Sequence, residues 1–303
     1  RDLRAAVANV QRARAQFGAT DAARLPTVGA GLNASRAPNS KGEQATTLTA
    51  GVQLASWEID LFGRLANQSE AALAQWLASN QARRATELSL VAAVLQAGLA
   101  LQADDELLAL ARQTLANREQ TLKLVQLREA AGAASQLELQ AQLGLVAQAR
   151  ATLAQLERQR AQSGSALALL LGRPVPDDPA AASGASPRLA DEAWLAEVPA
   201  GLSSAVLLRR PDVLQAESAL RAADANIAVA RTAFLPSLTL TGQAGQVSPQ
   251  LSGLFQGGNF AYTAAASLAL TLFDGGRRQA NLDSVQAART ARTLGARHLT
   301  LVA

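Results

Sequence analysis

The sequence predicts a mainly α-helical fold with a small β part, in which long antiparallel helical hairpins adjoin four β-strands. Three observations lead to this prediction. A unit of helix, break, strand, loop, strand and long helix occurs twice, and its Leu-Pro break recurs about 210 residues later, as RLPT at 24–27 and FLPS at 234–237. After each break the hydrophobic period changes to two, which is typical of strands. Residues 64–130 contain no proline, which permits one very long helix.

The first unit begins with a helix over about residues 3–23, where Leu3, Val7 and Val10 follow helical spacing. Pro26 ends that helix because it lacks a backbone N–H and favours extended geometry in the residue before it. Alternating apolar and polar residues then predict two strands, and the second unit repeats the pattern. The four predicted strands cover residues 28–36, 47–54, 238–245 and 264–271.

Each predicted strand has one polar and one apolar face. Strands of about ten residues cross a bilayer when tilted, although the same alternation also fits the edge of a soluble β-sandwich. The candidate lumen-lining residues are Thr47, Thr49, Gln53, Thr239, Thr241 and Gln243. The candidate lipid-facing residues are Leu48, Val52, Leu54, Leu238, Leu240, Leu268 and Leu270. The aromatic residues near strand ends, as in an interfacial girdle, are Trp57, Phe260, Tyr262 and Phe273.

A long helical hairpin follows the first strand pair. Its apolar residues form a broken heptad seam, and a helix over residues 64–130 spans roughly 100 Å. Gly132 is the expected C-cap of this helix and Ser135 the N-cap of the next, with Glu138 completing a capping box. The return helix ends at Gly172. The sequence therefore predicts an antiparallel pair with its turn at Gly132.

The second unit follows an irregular segment. Residues 172–203 are rich in Pro, Ala and Ser, which predicts a surface connector. Pro211 then begins a helix that leads to the second Leu-Pro break. The next long helix begins at Arg277 and stops at Ala303. By comparison with the first unit, roughly 80 further residues would complete a second hairpin.

Composition excludes several kinds of chemistry. The chain has no Cys, which excludes disulfides and thiolate sites, and its one histidine, His298, is expected at a solvated helix position. Asp104, Asp105 and Glu106 are consecutive on a predicted helix and point in different directions, so they predict a polar face. The sequence therefore predicts no enzyme, no catalytic residue, no metal site and no cofactor. The arginines are dispersed among acidic residues, so nucleic-acid binding is not predicted despite a net charge of +4.

Four strands cannot form a membrane structure alone. An open sheet edge in hydrocarbon leaves backbone groups unpaired, at several kcal/mol each. If the strands lie in a membrane, two, three or four copies would close one barrel of eight, twelve or sixteen strands. No uninterrupted run of eighteen apolar residues is present, so a membrane-spanning helix is not predicted.

Several sequence blocks resemble a known family in their order and spacing over essentially the whole chain. These blocks are WEIDLFGRL at 57–65, VPAGL at 198–202, LLRRPDV at 207–213, AE at 216–217 and ARTAFLPS at 230–237. The chain resembles the TolC-type outer-membrane efflux ducts, and most closely the OprM-like and NodT-like lipoprotein subgroup. The Arg-Arg-Pro-Asp block is the most specific of these matches.

The resemblance implies a homotrimer in the outer membrane of a Gram-negative bacterium. Twelve strands would cross the outer-membrane lipid, and an α-barrel would reach through the periplasm to an adaptor protein and an inner-membrane pump. Gly132, Ala133 and Ser135 would form the adaptor-contact tip. The family often has Val after this Gly and Asp at the position of Glu138, whereas this chain has Ala133 and Glu138.

The resulting expectation is the passive exit duct of an RND-type tripartite efflux pump for drugs or other small molecules. Two alternatives remain: a duct for type I protein secretion, and a soluble trimeric coiled-coil structural or adhesin protein. The expected segments are a helix leading to the barrel (1–26), the first β-hairpin (27–63), a long helical hairpin (64–171), a connector (172–203), a second helix leading to the barrel (204–236), the second β-hairpin (237–274) and the start of a second long hairpin (275–303).

Overall fold

The computed structural model describes residues 2–38, 40, 42–174, 201, 203–254 and 258–302, with backbone alone at 204 and 298–302. The helices and strands are α1 (Asp2–Ala22), β1 (Val28–Pro38), β2 (Gln44–Ile59), α2 (Arg64–Ala130), α3 (Gln136–Leu171), α4 (Pro211–Thr232), β3 (Ser237–Ser248), β4 (Phe260–Ala269) and α5 (Arg277–Val302). Short 3-10 helices lie at Ser204–Arg209 and Leu251–Gly253. The predicted mainly α fold with four strands is confirmed.

The described residues fall into two compact units. One contains residues 86–202, and the other contains residues 2–85 and 203–303. Most of the predicted connector, residues 175–200 and 202, and the side chain of His298 lie outside the described part of the chain.

The four strands form one antiparallel sheet in the order β1-β2-β3-β4. β2 pairs with β1 from Leu54 opposite Val28 to Gln44 opposite Pro38. Its pairing with β3 is shifted between Leu54 and Trp57 by a bulge, which the sequence did not predict. If the alternation in β2 continued without a break, Trp57 would lie on the same side as the polar residues. The bulge instead places Trp57 opposite Leu240, on the side of the apolar residues.

The end of β4 differs from the prediction. The strand runs from Phe260 to Ala269, so Leu270, predicted as lipid-facing within a strand, lies beyond it. Ala269 pairs with Ser237, the first residue of β3, and Pro236 precedes it. Proline has no N–H to donate to a ladder, so the pairing ends there. Leu270 is thereby corrected from a strand residue to a residue of the segment that leads to α5.

The unit that contains the sheet is held by contacts between its helices. Phe17 of α1 stacks on Trp76 of α2, with ring centroids 5.8 Å apart and an interplanar angle of 17°. Ser69 donates a hydrogen bond of 2.8 Å to Asp21. In the second repeat, Arg289 of α5 pairs with Asp224 of α4 at 2.5 Å. In each repeat, the helix that precedes the two strands therefore contacts the long helix that follows them.

The other unit is the distal part of α2 packed against α3. Arg160 pairs with Asp105 at 2.9 Å, and Ser163 donates to Asp104 at 2.6 Å. Leu108, Val125 and Val146 are among the buried residues of this hairpin. Two further ion pairs between its helices are Arg112–Glu157 and Arg150–Glu119. The acidic pair at 104–105 thus contacts the neighbouring helix of the hairpin.

One described helix, α2, is long and apolar enough to cross a membrane by length and composition alone. This helix has no uninterrupted run of eighteen apolar residues, because polar residues are scattered through its apolar window. Only 6% of that window is buried in the single chain.

Candidate functional site

The strand register collects the predicted polar residues on one surface. Residues directly opposite each other on neighbouring strands point to the same side of a sheet. Gln53 lies opposite Gln243, and Thr49 lies opposite Val247, while Thr239 and Thr241 follow on β3 at intervals of two. We call this surface the polar face, and its predicted members are Thr47, Thr49, Gln53, Thr239, Thr241 and Gln243.

The opposite surface, the apolar face, is broadly exposed in the single chain. Val52 is 51% exposed and Leu268 is 67% exposed. Phe260 and Tyr262, near the end of β4 that is far from the helices, are 65% and 76% exposed. An apolar surface of this kind marks a membrane or protein contact. The predicted lipid-facing residues on it are Leu48, Val52, Leu54, Leu238, Leu240 and Leu268.

The other two predicted aromatic residues differ in their surroundings. Trp57 is part-buried, and its indole N–H donates to the backbone oxygen of Arg24 at 3.1 Å. Phe273 follows β4 and is 89% exposed. Trp57 therefore secures the junction between α1 and β1, whereas Phe273 is open to an external contact.

The polar face contains a hollow of about 230 Å³. Gln53, Thr241, Gln243, Thr263 and Ala265 line it from the polar face. Hydroxyl and amide groups therefore dominate the hollow, and each amide offers both donors and acceptors. The sequence predicted Gln53, Thr241 and Gln243 as lumen candidates, but it did not predict that they meet in one hollow.

Each long helix that follows a strand pair is capped by an aspartate. Asp60 accepts a hydrogen bond of 2.8 Å from the backbone N–H of Ala66 in the first turn of α2. Asp274 accepts from the backbone N–H groups of Gly276 and Arg278, each at 3.1 Å. Arg278 also bonds Asp274 through its side chain at 2.9 Å. The repeat in the sequence did not predict this capping role.

The Asp274 carboxyl lies outside the strands, and its surroundings favour the ionised form. Its partial burial opposes ionisation and would raise its pKa. The hydrogen bonds from Arg278 and Gly276 outweigh that effect, so the pKa of Asp274 lies below its ordinary value. Arg278 also covers the ring of Phe234 at 5.2 Å, which links this site to the second Leu-Pro break.

The tip of the helical hairpin combines a tight turn with exposed apolar residues. Gly132 has φ 71°, and the backbone N–H groups of Gly132 and Ala133 close the end of α2 by donating to the carbonyls of Glu129 and Arg128. Ser135 caps α3 by accepting from the N–H of Glu138 at 3.1 Å. Gly132, Ala133 and Ser135 are all exposed.

Two leucines flank this turn. Leu127 of α2 is 70% exposed and Leu137 of α3 is 81% exposed. Sequence periodicity did not single them out, because a heptad seam includes many leucines. They add an apolar component to the predicted tip.

Within the described ranges, no group of three or more His, Cys, Asp or Glu residues is placed to hold a metal ion.

Comparison with known proteins gives consistent results. A family model described as outer membrane efflux protein matches residues 1–173 and 202–303. Outer membrane protein OprJ of Pseudomonas aeruginosa is 42% identical over 294 residues, which are 95% of this chain and 60% of OprJ. The probable efflux pump outer membrane protein TtgC of Pseudomonas putida is 39% identical over 290 residues, which are 93% of this chain and 59% of TtgC.

A solved structure has the same fold. The crystal structure of the open state of the MtrE outer membrane channel of Neisseria gonorrhoeae matches with a TM-score of 0.86 and 37% identity. The match covers 99% of this chain and 67% of that chain. The chain spans less than two thirds of the length of the curated relatives OprJ and TtgC.

Proposed function

Because the chain belongs to the outer membrane efflux protein family, we propose that it forms the outer-membrane exit duct of an RND-type tripartite efflux pump. Drugs or other small molecules pass through it passively, and an inner-membrane partner supplies the energy. The observation that carries this proposal is the two-faced sheet, with one polar surface and one exposed apolar surface. The family is an efflux family, which agrees with the first of the three functions expected from the sequence.

The two outer strands of the sheet support assembly. Among the described strands of the single chain, β1 pairs with β2 and β4 pairs with β3, which leaves one edge of each outer strand without a strand partner. In hydrocarbon such an edge costs several kcal/mol for each unpaired backbone group. Pairing β4 of one copy with β1 of the next removes both edges. Three copies give twelve strands, which is the homotrimer that the family resemblance implies.

The faces of the sheet give its orientation in this barrel. We assign the apolar face, including Val52 and Leu268, to the outer-membrane lipid and the polar face, including Gln53 and Gln243, to the lumen. A barrel of this kind alternates apolar residues outward and polar residues inward. Phe260, Tyr262 and Phe273 fit the aromatic girdles that flank the lipid-facing band.

The hairpin tip is assigned to a periplasmic adaptor protein. Gly132, Ala133 and Ser135 are exposed, and Leu127 and Leu137 flank them with exposed apolar side chains. An apolar centre with exposed backbone turns is suited to docking another protein. The segment of residues 64–171 then forms the periplasmic α-barrel together with the hairpins of the other copies.

Single-channel conductance in a planar bilayer tests this function. The whole protein, purified from outer membranes, should give discrete openings that depend on a trimeric species. Extraction without detergent and an absence of conductance would overturn the duct and favour the soluble coiled-coil alternative. Genes for an adaptor and a proton-driven pump beside this gene would support efflux, whereas an ABC transporter gene there would favour type I secretion.

A further inference from the structure

The charges of the sheet are confined to two strand residues. Arg36 and Glu58 are the charged residues of β1 to β4. Arg36 lies opposite Thr46, which places it on the apolar face. Glu58 lies on the polar face at the end near the helices, where both carboxylate oxygens accept hydrogen bonds from Arg64. From Thr241 outward, the strand residues of the polar face are therefore uncharged.

A row of amides crosses this uncharged surface. Gln53 and Gln243 lie directly opposite each other, and Thr263 lies opposite Gln243 on β4. These three side chains line the hollow of about 230 Å³. We call Gln53 and Gln243 the glutamine row. Its amides project from the two central strands of the sheet.

The adjacent row has almost no side chains. Gly31, Gly51 and Gly245 lie opposite one another across β1, β2 and β3, and Ala261 continues the row on β4. The Nε2 atom of Gln53 lies 3.9 Å from where a Cβ on Gly31 would be. Gln53 and Gln243 are both exposed beside this row, so a solute that passes along the polar face can contact their amides.

On the basis of the proposed function, we infer that the glutamine row is an uncharged, solute-contacting ring of the lumen. Each copy contributes two amides at one level of the barrel. Neutral amides donate to anions and accept from cations, and no fixed charge at this level opposes either sign. This level of the barrel therefore passes solutes of both charge signs.

Replacement of one glutamine amide by a carboxylate gives a direct test. Gln243→Glu replaces an amide with an isosteric carboxylate and adds three negative charges to a trimer. The ratio of potassium to chloride permeability, measured from the reversal potential of the whole protein in a planar bilayer, should rise about fivefold at about 0.1 M salt for three carboxylates about 10 Å from the ion. Gln53→Glu should act in the same direction and serves if Gln243→Glu does not assemble.

The matched control makes the same chemical change on the apolar face. Gln44→Glu at the start of β2, where Gln44 lies opposite Pro38 and is exposed, should leave the ratio unchanged. Normal openings of the Gln243→Glu and Gln53→Glu channels with an unchanged ratio would overturn the inference and leave the duct standing. Absence of openings from the unsubstituted protein would overturn the proposed function itself.

A second measurement tests whether the glutamine row admits cations and anions equally. The chain contains no cysteine, so Gln243→Cys introduces one defined thiol. Cationic and anionic methanethiosulfonate reagents should both modify it, with a rate ratio close to that for a free thiol in solution. A ratio that departs from the free-thiol ratio by about tenfold in either direction, which corresponds to about 1.4 kcal/mol of electrostatic bias, would overturn the inference.

Discussion

Among the described glycines of the sheet, Gly51 and its partner Gly245 have the least space for a side chain. A Cβ on Gly51 would lie 2.3 Å from the backbone oxygen of Ala244 and 2.6 Å from the Cα of Gly245. The two strands therefore approach each other closely at this pair, and neither backbone can move without disturbing the ladder. This contact explains why glycine occupies both positions of the pair.

We expect Gly51→Ala to lower the free energy of unfolding by about 1–3 kcal/mol, because a methyl group inserted into a filled site forces the backbone to shift. Urea unfolding of the purified protein in detergent measures the change. Gly31→Ala is the matched control, since the nearest atom to its added Cβ is Gln53 Nε2 at 3.9 Å, an ordinary contact. Equal losses in the two variants would contradict the steric explanation.

Asp274 gives a pH-dependent contribution to stability. Its pKa in the folded protein is lowered because the hydrogen bonds from Arg278 and Gly276 outweigh the effect of its burial. A lowered folded-state pKa stabilises the protein above the unfolded-state pKa of about 3.9, and this stabilisation is lost as the pH falls through the folded-state value. The capping pair is therefore intact at neutral pH and weakens in acid.

Asp274→Asn should lower the thermal unfolding midpoint at pH 7, and the gap from the unsubstituted protein should narrow as the pH falls below about 4. Thermal unfolding at a series of pH values checks this. Asp283→Asn removes a carboxylate from the same helix but leaves the Asp274–Arg278 pair intact, so it controls for the loss of one charge. A gap for Asp274→Asn that stays constant down to pH 2 would exclude a role for ionisation.

At the scale of an element, the start of α3 depends on one side chain. Ser135 accepts from the N–H of Glu138, one of the first-turn donors that have no partner within the helix. Ser135→Ala should cost about 1 kcal/mol of local stability, seen as faster hydrogen exchange at the Glu138 amide. Ser165→Ala, farther along α3, should leave exchange unchanged, because the Ser165 hydroxyl bonds only the carbonyl of Ala161 in its own helix. Similar acceleration in both variants would mean that α3 loosens as a whole.

The sequence predicted the four strands, but it did not predict where β4 ends or the bulge in the pairing of β2 with β3. Successive residues of a strand point to opposite faces of the sheet, so the alternation of apolar and polar residues within one strand is enough to predict its two faces. The bulge between Leu54 and Trp57 depends on β3, which is far away in the chain. The end of β4 at Ala269 is set by Pro236 next to its partner strand, not by the sequence of β4. Leu254, fully buried in the loop after β3, follows no period that could have revealed it.

The hairpin tip shows the same division between local and distant causes. The cap at Ser135 and the turn at Gly132 were predictable because both use contacts within a few residues. The ion pair between Asp105 and Arg160 was not, since it requires the alignment of two helices. Sequence patterns therefore identify what one element does alone, whereas the structure supplies the partners.

At the scale of the whole molecule, the proposed duct requires that the apolar face of the sheet contacts lipid and that the polar face lines the lumen. Val52 and Gln53 are neighbours on β2 and belong to opposite faces, opposite Ala244 and Gln243 respectively. Because the chain has no cysteine, a spin label can be attached at either position through a single introduced thiol. The two labels then sample the two sides of one strand at the same depth.

In the whole protein reconstituted into vesicles, oxygen should relax the label at Val52 more strongly, because oxygen partitions into hydrocarbon. A polar nickel chelate should relax the label at Gln53 more strongly, because it stays in the aqueous lumen. Labels at Leu268 and Ser267 on β4 form a second pair and should divide in the same way. Reversed accessibilities would invert the assignment of faces, and strong relaxation by the chelate at all four positions would mean that neither face contacts lipid, which would contradict the duct itself.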